Sequence, residues 1–497
     1  MKERRTVHDS LGQMEIPADA YYGAQTARAL RNFPISGLRL PPIFVEAQAL
    51  IKWAAAKAHA HLHALSPELA AAICQAADEV IAGQWNQWFQ VDIYQAGAGT
   101  SQNMNVNEVI ATRASEILRG TREEPLAVHP NDHVNKSQST NDTIHAAMNL
   151  SMLLTHQRLV DPSLAILETT LAKVAHQAGS AVKAGRTHLQ DAVPMRIADS
   201  FLAYAENIRR HRVWLNEASS ALAVLGLGGN AVGTGINTPP GFAEQAITYL
   251  AERTQLPLCL PVNPFTFNQN PDEVVYYGNI LQRTAEAIGR IANDLRLLAS
   301  GPRTGLAEIE FPAVQPGSSI MPGKVNPVMA EMMNMVVFQV QGCQSTIALA
   351  GSAGQLELNV MMPVMAANAL HAMTILANAV KQFAEQGVAG LILHTDVSRH
   401  YAESSLSLAT ALNVAIGYER AAAVVHQALI NNCSLLEAGQ QLGLDSHLLQ
   451  SALDIDRLAV PVSRYLPKSR SDVESNHPTT PEPNVHQANT NWPENGD

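Results

Sequence analysis

The sequence predicts an all-α protein organised around a bundle of long helices, and three observations carry that prediction. Tyr277, Leu281, Thr284, Ile288, Ile291, Leu295 and Leu298 recur at three- or four-residue intervals and make one largely apolar face. Similar patterns run through 141–160, 164–184, 199–224, 328–349 and 364–386, longer than the typical globular helix of about 10–14 residues. Finally, 46% of the 497 residues are apolar, enough to bury a large core.

Taken in order, residues 1–41 are punctuated by proline and glycine, and PADAYYGAQTARALRNFPISG reads as ordered extended structure and turns. Helices dominate from Pro42 onward: 44–63, 67–82 and 105–118 are rich in alanine and leucine, which are good helix formers. The six long windows that follow would each span about 30–40 Å at 1.5 Å per residue and suit a bundle. Shorter helices follow at 405–426 and 435–442, and the composition changes abruptly after Leu466. With almost no apolar anchor, that last stretch reads as a disordered tail. The expected division is an N-terminal mainly helical domain at 1–140, a central bundle at 141–390, a small C-terminal helical domain at 391–466, and the tail at 467–497.

Composition narrows the function. Only 15% of residues are charged, against about a quarter in a soluble domain, so much of the surface is expected to be covered by other subunits. A net charge of −11 argues against a nucleic-acid partner, which calls for a basic stripe. Cys74, Cys259, Cys343 and Cys433 are widely spaced and form no CxxC pair, as expected of reduced thiols. No signal peptide and no apolar run of about 18 residues is evident, so no membrane partner and a cytoplasmic location are expected.

Four polar clusters interrupt the helical patterns: GAGTSQNMNVNE (97–108), HPNDHVNKSQSTND (129–142), GRTHLQDAVP (185–194) and GSSIMPGKVNP (317–327). Ser, Thr and Asn ahead of a helix serve equally well as caps. Four such clusters accompanied by Lys136, Arg186 and Lys324 also suit the clamping of carboxylates, and helix N-termini reinforce anion binding. His188 is the first candidate for proton exchange. HExxH is absent, and His129 and His133 beside Asp132 are too sparse for a metal site. GLGGNAVGTG (226–235) runs into INTPPG instead of a helix, which argues against a dinucleotide loop.

In chain order, DSLGQMEIPADAYYGAQTARA, GAGTSQNMNVNE, HPNDHVNKSQSTND, GRTHLQDAVP, GTGINTPPG, IANDLRLLASGPRTGLAEI and GSSIMPGKVNP resemble the aspartase and class II fumarase family over residues 6–460. The resemblance implies three domains, a central five-helix bundle, and a homotetramer whose active sites each draw on three subunits. It also implies reversible elimination across the Cα and Cβ of a small dicarboxylate or amino-dicarboxylate. Ser318 is then the base, Thr100, Ser139, Thr140 and the backbone at Ser319 stabilise the aci-carboxylate, and Ser101 is a further substrate-binding residue. Lys324 and Asn326 hold the second carboxylate. Asn141, Thr187 and His188 lie near the leaving group, and Glu331 pairs with His188 across subunits. No organic cofactor is implied. An activating divalent cation, as in some aspartases, is compatible, although no ligand set is visible.

For the leaving group, DAYYG, QSTND, GINTPPG, KVNPVMAEMMNMV and SAGQLELNVMMPV resemble aspartase, whereas NVNEV, VNKSQ and TALNVAIGYERAA resemble fumarase. The expected activity is therefore aspartate ammonia-lyase, a carbon–nitrogen lyase. The alternatives are class II fumarate hydratase and a lyase for a substituted aspartate. Two departures from the family pattern stand near substrate positions: Ala198, Asp199 and Ser200 replace GQE, and His145 and Ala146 replace the proline and threonine of NDxxPT. A helical scaffold that has lost catalysis is the reading from another class, and joint retention of Ser318, Lys324, Asn326, Thr100, Asn141 and His188 argues against it.

Overall fold

A computed structural model describes residues 3–460. The expected tail at 467–497 lies outside the described residues. Two compact units are formed, the first from residues 3–181 and 197–398, the second from 182–196 and 399–460.

The first unit opens on an antiparallel hairpin of β1 (Arg4–Asp9) and β2 (Gly12–Pro17). Next come α1 (Ala24–Asn32), α2 (Pro42–His61), α3 (Pro67–Ile81) and α4 (Thr100–Arg119). The first of these helices was read from sequence as extended structure and turns. Its first N–H groups are satisfied from far along the chain, since the buried Glu108 carboxylate accepts from Gly23 N (2.8 Å), Gln25 N (2.9 Å) and Thr26 N (3.1 Å). No local pattern could announce a cap that arrives from α4. Val7, Ile16, Ile73, Val106 and Ile110 share a core with these helices.

Beyond them lie α5 (Thr140–Thr155), α6 (Asp161–Ala178), α7 (Ile197–Leu222), α8 (Phe242–Thr254), α9 (Phe265–Gln269), α10 (Asp272–Leu298), α11 (Val328–Gly351) and α12 (Met362–Gln382). Five of these close a ring, each packing on the next in the order α6, α7, α10, α11, α12 and back to α6. The face predicted on α10 is the buried one from Tyr277 to Leu295, and Leu298 is half-buried at its end. By length and composition the segment Met362–Gly390 could cross a membrane, yet most of its apolar window is buried against the rest of the protein, as a bundle helix requires. The two-residue strands β5 (Ile309–Glu310) and β6 (Ile392–Leu393) pair before α13 (Thr395–Ser404).

The second unit holds the hairpin of β3 (Val182–Thr187) and β4 (Gln190–Arg196). Its helices are α14 (Ala409–Ile416), α15 (Tyr418–Asn431), α16 (Leu435–Gln441), α17 (Ser446–Ala452) and α18 (Ile455–Leu458). Val182, Leu412, Val424 and Leu449 belong to its core. Two predicted helices end early, both at glycines with positive φ, a backbone region that stops an α-helix. The 164–184 window stops at Ala178 before Gly179 (φ 55), and 405–426 breaks at Gly417 (φ 82). The multi-helix architecture is as expected, with three short two-stranded ladders added to it among the described residues.

Candidate active site

Two of the four polar clusters form neighbouring helix starts. At the first, Gly99 adopts φ 85, and a Cβ on Gly97 would meet Val360 Cβ at 2.9 Å, so the chain turns into α4 only with glycine here. The turn starts the helix at Thr100, five residues earlier than predicted, and leaves Thr100 exposed and Ser101 nearly buried in its first turn. At the second, Ser139 caps α5. Its Oγ accepts from Asn141 N (3.2 Å), and Asp142 Oδ1 accepts from Ser139 N (2.9 Å), a capping box. Capping is therefore part of what Ser139 does, and its O–H remains a donor. Asn103 Nδ2 donates to Thr140 Oγ1 at 3.3 Å and ties the two starts together. Two helix N-termini thus present their partial positive charge side by side.

The glycine-rich 226–235 stretch completes this region without being a nucleotide loop. Asp142 Oδ2 accepts from Gly228 N and Asn230 N at 3.0 Å each, and Asn141 Nδ2 donates to Ala231 O at 2.8 Å. Burial, the largest influence, pushes Asp142 up to about 6 against three backbone donors and Lys52. Lys52 is also buried, donating to Asn135 Oδ1 (2.9 Å) and Gln138 Oε1 (3.0 Å), and its ammonium is lowered to about 7 by desolvation. Sequence reasoning missed Lys52. The available signal was a lysine inside the apolar, alanine-rich run ALIKWAAA.

GSSIMPGKVNP forms an exposed loop leading into α11. Its base is closed by Gly317 N donating to Lys324 O (2.8 Å) and Asn326 Nδ2 donating to Gly317 O (2.7 Å). A Cβ on Gly317 would lie 2.4 Å from Lys324 O, so this closure requires glycine. Ser318 Oγ accepts from Ile320 N (3.2 Å) and Met321 N (3.0 Å). Two N–H dipoles aimed at one hydroxyl oxygen favour its alkoxide form. Ser319 and Lys324 are exposed, and Glu331 lies half-buried in the first turn of α11.

In the second unit, Thr187 and His188 stand exposed at the turn between β3 and β4. His188 (φ 55) and Leu189 (φ 59) both occupy the left-handed region, the geometry of a tight two-residue hairpin turn. Arg186 lies over the Tyr401 ring at 5.6 Å.

The departures at His145 and at Ala198, Asp199 and Ser200 have separate explanations. His145 is buried and its Nε2 lies 2.7 Å from Glu273 Oε1, which also accepts from Asn149 Nδ2 at 2.9 Å. Burial raises the Glu273 carboxyl, but the imidazole charge and these hydrogen bonds outweigh it and hold the group below its ordinary value. Glu273 stands in the first turn of α10, so the departure at His145 on α5 is met by an acid from a helix far along the chain. Ala198, Asp199 and Ser200 form the first turn of α7, where an acid suits the helix dipole.

A family model described as "Lyase" matches residues 12–342, and one described as "Fumarase C C-terminus" matches residues 408–459. The chain belongs to the aspartase/fumarase superfamily. It is similar to the class II fumarate hydratase of Thermosynechococcus vestitus, with 44% identity over 441 residues, covering 89% of this chain and 94% of the relative. An aspartate ammonia-lyase of Bacillus subtilis is 43% identical over 434 residues, with coverages of 87% and 91%. Among solved structures, the class II fumarase of Schistosoma mansoni has a TM-score of 0.89 at 38% identity and covers 92% of this chain and 100% of its own. A fumarate lyase:delta crystallin of Brucella melitensis bound to cobalt has a TM-score of 0.90 at 43% identity with the same coverages.

These relatives correct the expectation of an aspartate ammonia-lyase, and with it that of a carbon–nitrogen lyase. The weight of similarity lies with class II fumarate hydratases from several bacteria and with a solved class II fumarase. The expectation rested on aspartase-like spellings such as DAYYG and QSTND, whereas similarity over most of the chain is shared with fumarate hydratases at 44% and with an aspartate ammonia-lyase at 43% identity. No cluster of three or more metal-ligating side chains occurs among the described residues. The cobalt belongs to the Brucella protein.

Proposed function

We propose that this chain is a class II fumarate hydratase, a carbon–oxygen lyase interconverting L-malate with fumarate and water. The observation that carries the reading is the Ser318 hydroxyl, cradled by two backbone N–H groups on a loop at the start of α11. The similarity to fumarate hydratases supplies the leaving group.

In the dehydration direction, the Ser318 alkoxide takes the proton from the methylene carbon, and the C–H electron pair moves into the adjacent carboxylate as an aci-carboxylate. Thr100, Ser101, Ser139, Thr140 and Ser319 N–H offer donors to that doubly charged group, with the two helix starts adding their dipoles. Lys324 and Asn326 hold the other carboxylate. The C–O bond then breaks as the hydroxyl takes a proton from His188, with Asn141 and Thr187 beside the leaving group. Water leaves and the double bond forms. Glu331 orients His188 of another subunit. The reaction as written needs no organic cofactor.

A homotetramer belongs to the same reading. Met335 (65% exposed), Phe338 (68%) and Leu349 (73%) make an apolar stripe on the outward face of α11, a surface that calls for a partner. The division at 1–140, 141–390 and 391–466 belongs to the same reading: a hydrophobic core within 7–134 supports the first part, while another core joins α2 to the bundle and the 182–196 hairpin packs with 399–460. A cytoplasmic location is supported by four free cysteines. The deciding assay follows fumarate by ultraviolet absorbance with L-malate and L-aspartate supplied separately. Turnover of malate alone is expected, and turnover of aspartate alone would reject the proposal. Repeating the malate assay with EDTA and with added cobalt or magnesium tests for an activating cation.

A further inference from the structure

We propose, building on that reading of the site, that Lys52 is a positioning residue for the dicarboxylate. It is a buried ammonium linked through Asn135 and Asn103 to the starts of α4 and α5, and the substrate dianion supplies a counter-charge in addition to that of Asp142.

Lys52 sits in the middle of α2 with 0% of its surface exposed. Its hydrogen-bond acceptors are neutral amide oxygens, Asn135 Oδ1 at 2.9 Å and Gln138 Oε1 at 3.0 Å. Asn135 Oδ1 also accepts from Asn103 Nδ2 at 3.2 Å, and that same amide nitrogen reaches Thr140 Oγ1 at 3.3 Å. Two amides therefore connect the ammonium to a hydroxyl at the proposed carboxylate site. Among the described residues no carboxylate forms an ion pair with Lys52. Of the elements packed on α2, which are α3, α4, α5, α8 and the 130–134 turn, only α5 contributes a charge that acts on it, through Asp142. The Asp142 oxygens are already engaged by Ser139 N, Gly228 N and Asn230 N.

A buried cation without an ion pair is unfavourable, and anchoring two amides could be done by a neutral donor. A dianion arriving at the two helix starts changes the balance, because opposite charges attract strongly where water is excluded. The consequence has a sign. In the ligand-free protein burial lowers the ammonium to about 7, and a bound dianion raises it again. Dicarboxylate affinity is then greatest below that value and falls as the pH rises through it, by up to about tenfold per pH unit, with a proton taken up on binding.

The test measures binding of succinate, a dicarboxylate with no leaving group, by calorimetry in buffers of different ionisation enthalpy. Wild type and Lys52→Met are compared about one unit below and above the Lys52 value of about 7. Wild type should bind less tightly and take up a proton at the higher pH. Lys52→Met should bind about tenfold or more weakly at the lower pH, lose the pH dependence, and show a larger change in KM than in kcat. Unchanged affinity and proton uptake in Lys52→Met overturn the proposal. If that variant does not fold, proton uptake by wild type decides: uptake supports the proposal and its absence overturns it. Asn141→Ala separates the two layers. Intact malate turnover and succinate binding in Asn141→Ala remove the site reading, and this proposal with it. Weakened binding there, with unchanged binding in Lys52→Met, removes Lys52 alone.

Discussion

Ser318 is a weak base as a free alcohol, and the structure gives it a way to be stronger. The N–H groups of Ile320 and Met321 point at its oxygen before any substrate is present, so stabilisation of an alkoxide costs no rearrangement of those donors. Ser318→Ala should lower kcat for malate by about 10²–10⁴-fold with little change in thermal midpoint. A kcat within about threefold of wild type would remove Ser318 as the base. Lys52 makes a second prediction at this scale. Its folded value of about 7 lies below the ordinary 10.5, so from about 7 to 10.5 the unfolded chain holds more protons and stability rises with pH. The cost of the buried ammonium is thus full below 7 and fades towards 10.5. Lys52→Met should therefore unfold at a higher temperature than wild type below pH 7, and the advantage should shrink as pH approaches 10. A constant difference across that range would show that its charge is not what burial penalises.

At the scale of elements, glycine and pairing decide where helices begin and how loops close. Gly317→Ala places a Cβ against the Lys324 carbonyl, so the loop must reopen. The expected outcome is a kcat drop of about tenfold or more at nearly wild-type denaturant stability, since the loop is exposed. The His145 and Glu273 pair joins the second turn of α5 to the first turn of α10. Removing Glu273 alone leaves a buried imidazole without its partner and should cost about 3–5 kcal/mol, whereas replacing both by apolar residues should cost much less. A double-mutant cycle by urea unfolding measures the difference, and additive losses would contradict the pairing. The long helices were legible in the sequence because a buried face repeats locally every three or four residues, as on α10. The α1 helix was not, because its cap is Glu108 on α4. Nor was the early start of α4, where glycines and a close approach to Val360 set the turn.

For the whole molecule, the α11 stripe makes oligomerisation testable. Phe338→Glu together with Met335→Glu should shift a tetramer to smaller species in sedimentation and reduce activity with it, since the proposed sites draw on several subunits. A fully active monomer would argue against shared sites. The four polar clusters were visible in the sequence because each concentrates donors next to glycine or proline. That Asp142 binds the 226–235 stretch, that Lys52 is linked through Asn135 and Asn103 to Thr140, and that His145 has an acid partner were not visible, because each pair is far apart in the chain. By itself the sequence determined the helical architecture, the family and the candidate residues, since periodicity and motif chemistry are local properties. Only the tertiary structure decided which helix starts stand side by side, that Ser318 is met by two N–H donors, and which charges are buried, because these depend on segments brought together by packing.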